Sequence, residues 1–170
     1  MKKILLLVIL IIANLNLYAY GHLVKRDTIN KRIIEYITET SNNYIVSFQN
    51  ESEYFKIATK AIKGIDREKR EAALETIIII PNSHIVSDKV RLVLSDEKSK
   101  MLVGKKIICQ LLIDSSGSIK GIKYIIPNKV FQILTASDFD IIDRLLRETL
   151  NFEIGDESVP YIMTSIKIEL

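Results

Sequence analysis

Tryptophan is absent from this chain, and cysteine occurs once, as Cys109. A lone thiol cannot close an internal disulfide, so the fold must rest on its core rather than on covalent staples. Three prolines and six glycines in 170 residues exclude a Pro-rich spacer, a Gly/Ser-rich linker and a collagen-like repeat. Histidine occurs twice, at His22 and His84, and neither stands at a zinc-site spacing from cysteines or carboxylates. No Gly-x-Ser-x-Gly elbow and no phosphate-cradling glycine loop is present. The chain therefore offers no catalytic residue, no metal ligand and no cofactor site, and reads as non-enzymatic. Its 24 basic and 21 acidic side chains nearly cancel, to a formal +3. With no basic block interleaved with aromatics, nucleic acid is not an expected partner.

The strongest positive signal is at the start. Lys2 and Lys3 precede an unbroken apolar run, Ile4 to Ala13, and the segment closes on Ala19-Tyr20-Gly21. A positive end, a short apolar core and small residues at −3 and −1 make a secretory signal. Cleavage is expected after Gly21, with Ala19 the next choice. An uncleaved anchor needs about 20 predominantly apolar residues, and Asn14 and Asn16 interrupt the run well short of that. The expected product is a periplasmic or secreted protein starting at His22, without a stable membrane anchor after cleavage. Lys2 and Lys3 leave with the signal, so the mature chain is near neutral.

The remaining chain reads as α+β, a helical or mixed region over 22–99 followed by a β-β-α-β domain over 100–170. Ile29, Ile33 and Ile37 recur at helical spacing, which predicts a helix from about Thr28 to Thr40 capped by Asp27. Tyr44 to Phe48 is β-branched and aromatic and predicts a strand. Glu51 to Lys63 predicts a second helix, ended by Gly64. Asp66 is the candidate cap of a third. Ile77 to Ile80, before Pro81, suits either the end of a buried helix or a short buried strand. Val86, Val90, Leu92 and Leu94 alternate, which predicts an extended segment, and Ser95 to Lys100 a charged loop.

From Ile107 the pattern sharpens. Ile107 to Asp114 predicts a strand, Asp114-Ser115-Ser116-Gly117 a tight turn, and Ile119 to Ile126 the return strand. Thr135 or Ser137 then caps a helix from about Ala136 to Leu150, whose apolar face carries Phe139, Ile142, Leu145, Leu146 and Leu150. Asp138, Asp140 and Asp143 lie near its start, where negative charge meets the positive end of the helix dipole. Val159 to Leu170 alternates as a last strand. Cys109 alternates with Ile107, Leu111 and Ile113 and is expected to pack as a small buried hydrophobe.

The Ile107–Ile119 hairpin with its Asp-x-x-Gly turn, the helix Phe139–Leu150, Phe152-Glu153-Ile154-Gly155 and the final strand occur in an order that resembles the C-terminal domain of the TonB family. The resemblance covers about residues 100–170. Phe152-Glu153-Ile154-Gly155 stands where many relatives carry Trp-x-Pro-Gly, and the family's Tyr-Pro pair is missing. The resemblance implies the fold and a mode of binding, in which a protein partner of the cell envelope adds a strand along the last strand. Tyr161, Met163, Ser165 and Lys167 are the candidate partner-binding positions. It does not imply force transmission, because that task needs an anchor and a spacer. Two rivals remain open: an enzyme or enzyme inhibitor with a cystatin-like helix-on-sheet arrangement, and a small-ligand carrier.

Overall fold

The segment from Thr28, where isoleucines recur at helical spacing, folds as part of a β-hairpin in the computed structural model of the chain. The structure describes residues 22–39, 42–81, 83–155 and 159–170. The expected signal segment and its cleavage point lie outside them. Strand β1 (Leu23–Ile29) turns at Asn30-Lys31 into β2 (Arg32–Thr38). Both turn residues have positive φ, 49° and 65°, a two-residue geometry whose twist suits paired strands. The expected helical N-terminal segment is thus corrected to strand. In β2 the alternate residues Ile34 and Tyr36 are buried while Ile33 is exposed. That is the period of two of a sheet, not the period of a helix. Isoleucine, stiff at χ1, loses little by going into a strand.

Strand β3 (Asn43–Phe48) follows, then helices α1 (Gln49–Lys63) and α2 (Arg67–Glu75), close to the expected limits. Asp66 caps α2 by accepting the Glu68 N–H at 2.8 Å. The four isoleucines form strand β4 (Ile77–Ile80), which pairs with β7 (Asn151–Ile154). Residues 84–106 overturn the extended reading. They fold mainly as α3 (Ser83–Val93) and α4 (Asp96–Leu102). Val86, Val90 and Leu94 are four apart and buried together, whereas Leu92, the residue that created the apparent alternation, is 84% exposed. Ser95 is no loop residue but the cap of α4, accepting the Lys98 N–H.

Strands β5 (Lys106–Asp114) and β6 (Ile119–Pro127) form the expected hairpin. In its turn the Gly117 N–H donates to the Asp114 carbonyl at 2.9 Å, and Gly117 has φ +80°. The short helix α5 (Asn128–Phe131) leads to α6 (Ala136–Thr149), and β8 (Tyr161–Glu169) completes the order. Helix α6 starts on a reciprocal capping box between Thr135 and Asp138, which satisfies two of the free N–H groups at a helix start.

The protein is a mixed α+β fold with a six-stranded antiparallel sheet in the order β1-β2-β3-β6-β5-β8. Pairing of β3 with β6 joins strands from the two halves of the chain in one sheet. Alternate residues of its central strands, among them Ile107, Cys109, Leu111 and Ile113 of β5 and Ile122, Tyr124 and Ile126 of β6, are fully buried in one core with Phe139, Ile142 and Leu146 of α6 and Val86 and Val90 of α3. Tyr36, Tyr124 and Phe139 meet edge-on or tilted at its centre, with ring centroids 5.4 and 6.2 Å apart, a favoured aromatic arrangement. The other face is covered by α1, where Phe55 and Ala58 pack on Leu112. Gly121 makes that approach possible: a Cβ there would lie 2.8 Å from the Phe55 ring. The two layers leave β8 as one edge of the sheet.

Candidate functional site

Each of the four residues singled out in the last strand lies on β8, and the pairing of β8 decides what they can do. The strand runs antiparallel to β5 without a break in register, from Lys106↔Glu169 to Asp114↔Tyr161. Next to it, the Leu170 N–H donates to the Lys105 carbonyl at 2.8 Å. The Glu169 N–H points the other way and donates to the Ser87 hydroxyl of α3 at 3.0 Å. In an antiparallel pair these directions alternate residue by residue. The N–H and C=O groups of Met163, Ser165 and Lys167 are therefore directed away from β5, along the outer edge of the sheet. Ser165 and Lys167 are exposed. Tyr161 and Met163 are half-buried, packed against the Phe55–Ala58–Leu112 cluster under α1.

At the Tyr161 end the edge opens into a groove of about 370 Å³. Its apolar wall is made by Ile62 of α1, Leu74 of α2, and Tyr161 and Met163 of β8, and its rim carries Arg67 and Arg70. The two arginines differ. Arg67 is exposed and paired with Glu71 at 2.7 Å. Arg70 is half-buried, and its Nε is buried with no hydrogen-bond partner among the described residues. A buried donor left unmet costs about 1–3 kcal/mol. The groove is thus an apolar concavity whose polar lining is Arg67, Arg70 and Glu71, and among the described residues the Arg70 Nε is left unmatched. Neither arginine is singled out by the sequence, where only Asp66, the candidate cap of their helix, carries a signal.

A second polar constellation lies where β3 ends. The last β3–β6 pair is Ser47↔Lys123, and beyond it β6 has no strand neighbour on that side among the described residues. Side chains take the missing strand's place. The Ile122 N–H donates to Glu51 Oε2 at 2.9 Å, and Arg147 Nη1 donates to the Ile119 carbonyl at 2.7 Å. Glu51 Oε1 accepts from Arg32 at 3.1 Å and from Arg147 at 2.6 Å. Asp143, fully buried, accepts from the same two arginines at 2.7 and 3.1 Å and from the Tyr124 hydroxyl at 3.3 Å. Asp140 accepts from Arg32 and from Asn30. The dipole role expected of the three aspartates holds for Asp138, in the first turn. It is corrected for Asp140 and Asp143, whose burial requires the charge partners that Arg32 and Arg147 supply.

Burial, together with the negative charge of Asp143, pushes the Glu51 carboxyl up to about 7, against the pull of Arg147, the Ile122 N–H and Arg32. Its oxygens are nevertheless engaged by protein donors. The cluster ties β2, α1, β6 and α6 together as an internal brace. Elsewhere, His84 stands exposed near the start of α3. Cys109 is buried, and burial raises its thiol well above the ordinary value. Among the described residues no group of three His, Cys, Asp or Glu side chains is arranged to hold a metal.

No protein-family model matches the chain, and no curated protein matches it in sequence. A solved structure does match in shape: the crystal structure of a DUF5043 family protein from Bacteroides uniformis ATCC 8492. The likeness has a TM-score of 0.58, covers 88% of this chain and 86% of that chain, and carries 10% sequence identity. At that identity it shows the fold alone.

Proposed function

We propose that the protein is an exported, non-enzymatic interaction module that captures an extended segment of a cell-envelope protein by adding it as a strand to β8. The observation that carries this reading is the edge itself: outward-directed backbone groups at Met163, Ser165 and Lys167 beside exposed side chains. Such a row is a ready template for a guest strand. The other edge is less suited. β1 carries Lys25, Arg26 and Asp27, with Lys25 and Arg26 in ion pairs, and its register shifts between Leu23 and Lys25. Charges and bulges are the usual means of blunting an edge. The resemblance of residues 100–170 to the TonB C-terminal domain supports the same mode of capture, and the Lys2-Lys3 and Ile4–Ala13 pattern supports export.

Ser165→Pro tests the edge. Its N–H faces away from β5, so proline there removes a donor from the guest side while sparing the β5 ladder, as edge positions allow. Extended peptides selected on the wild-type protein should lose about tenfold or more in affinity for this variant, with circular dichroism unchanged. Peptides that hold Ser165→Pro as tightly as wild type would remove β8 as the site. Export is checked by intact mass of the protein recovered from the cell envelope, which should begin at His22. A mass that begins at Met1 in the membrane fraction would overturn it.

A further inference from the structure

We infer that the groove at the Tyr161 end of β8 is a receptor for the free C-terminal carboxylate of the captured segment, with an apolar last side chain. The inference rests on strand addition at β8 and goes beyond it, by naming which part of the guest is read. Three observations converge. First, direction. A guest lying antiparallel to β8, the commoner pairing, runs from the Lys167 end towards the Tyr161 end. Its C-terminus therefore arrives at the groove. Second, shape and polarity. The groove, about 370 Å³, is walled by Ile62, Leu74, Tyr161 and Met163, which is room for one large apolar side chain in a typical small-ligand volume range. Third, charge. Glu71, which also lines the groove, is paired with Arg67, whereas among the described residues the Arg70 Nε has no hydrogen-bond partner. A guanidinium fork matches a carboxylate in geometry as well as in sign. An arriving carboxylate would pair with the Arg70 guanidinium, which lines the groove and whose Nε is closed to solvent.

The same features argue against an internal segment as the guest. A chain that continued past the groove would place a neutral amide beside Arg70 and bring no charge to the guanidinium. A segment that ends there supplies a charge and needs no exit. A free amphipathic acid could satisfy Arg70 and the apolar wall, but it would make no use of the backbone groups at Ser165 and Lys167.

The test uses the mature protein and an array of extended decapeptides with randomised residues, each made with a free C-terminal carboxylate and again as the amide. Binding is read by fluorescence polarisation. Free-carboxylate peptides ending in a large apolar residue should bind, and their amides should bind about tenfold or more weakly. In Arg70→Gln the two forms should become equal, while Arg70→Lys, which keeps the charge, should restore part of the difference. Ser165→Pro should weaken both forms. Thermal melts of the three variants verify folding. If free and amidated peptides bind wild type equally, and Arg70→Gln changes nothing while Ser165→Pro abolishes binding, the carboxylate inference is overturned and strand addition stands. If Ser165→Pro is without effect while Arg70→Gln abolishes binding, strand addition has failed and this inference falls with it. Decanoate is the competitor that separates sources. Decanoate binding that matches the best peptides and survives Ser165→Pro would make the occupant a free amphipathic acid and overturn the peptide assignment.

Discussion

Replacing Glu51 by glutamine isolates the energetics of the brace beneath the sheet. Glutamine keeps the length and an oxygen acceptor for the Ile122 N–H, but it cannot ionise. In the folded protein the carboxyl is held at about 7, against an ordinary value of 4.5, because burial and the neighbouring Asp143 outweigh Arg147 and Arg32. As pH rises from 4.5 towards 7, the unfolded chain releases the proton while the folded protein still holds it. The stability contributed by a protonated Glu51 is therefore present below about 4.5 and is lost as pH rises through about 7. At roughly 1.4 kcal/mol for each pH unit, the loss is about 3 kcal/mol. Urea unfolding of both proteins at pH 5, 6, 7 and 8, followed by circular dichroism, measures it. The variant should be within about 1 kcal/mol of wild type at pH 5 and more stable by roughly 2–3 kcal/mol at pH 8. The comparison between variant and wild type cancels the titration of other groups. A variant that is less stable than wild type at pH 8, by more than at pH 5, would refute the reasoning. It would mean that the two arginines recover more from the charged carboxylate than its burial forfeits.

Two further expectations follow from other parts of the fold. Gly117→Ala should destabilise by about 3 kcal/mol or more, because φ is +80° and the new Cβ would stand 2.3 Å from the Phe152 carbonyl oxygen; a shift in urea midpoint equivalent to less than about 1 kcal/mol contradicts this. Cys109 should resist a thiol reagent at pH 8 in the native protein and react at once in denaturant, since burial holds its thiol protonated and the thiolate is the reactive form. Rapid stoichiometric reaction of the folded protein would contradict that placement.

The legible parts of this chain are those where local chemistry and tertiary burial agree. Asp114 and Gly117 specify their turn by side-chain hydrogen bonding and positive φ. Thr135 and Asp138 specify the start of α6, and the period of its apolar residues matches the face that packs on the sheet. Asp66 starts α2, and the alternation of Ile162, Ile166 and Ile168 marks the buried side of β8. Legibility failed where two periods overlapped. Ile29, Ile33 and Ile37 fit a helix, but Ile34 and Tyr36 are the residues that the sheet buries, and the Asn30-Lys31 turn lacks the glycine that usually announces it. Val86, Val90 and Leu94 do carry a helical signal, which Leu92 masked.

By itself, then, the sequence determined the local devices: the Asp114–Gly117 turn, the capped helices and the alternating last strand. Each of these is settled by atoms a few residues apart, so a linear reading can reach it. Only the tertiary structure decided that β3 pairs with β6, that β8 lies at an edge, and that Arg32, Glu51, Asp140, Asp143 and Arg147 share one buried cluster. Only it put Arg70 and Met163 on the lining of one groove. Those juxtapositions join residues tens of positions apart, and they arise because sheet pairing and apolar burial choose neighbours by complementarity across the whole chain, which spacing along the chain does not encode.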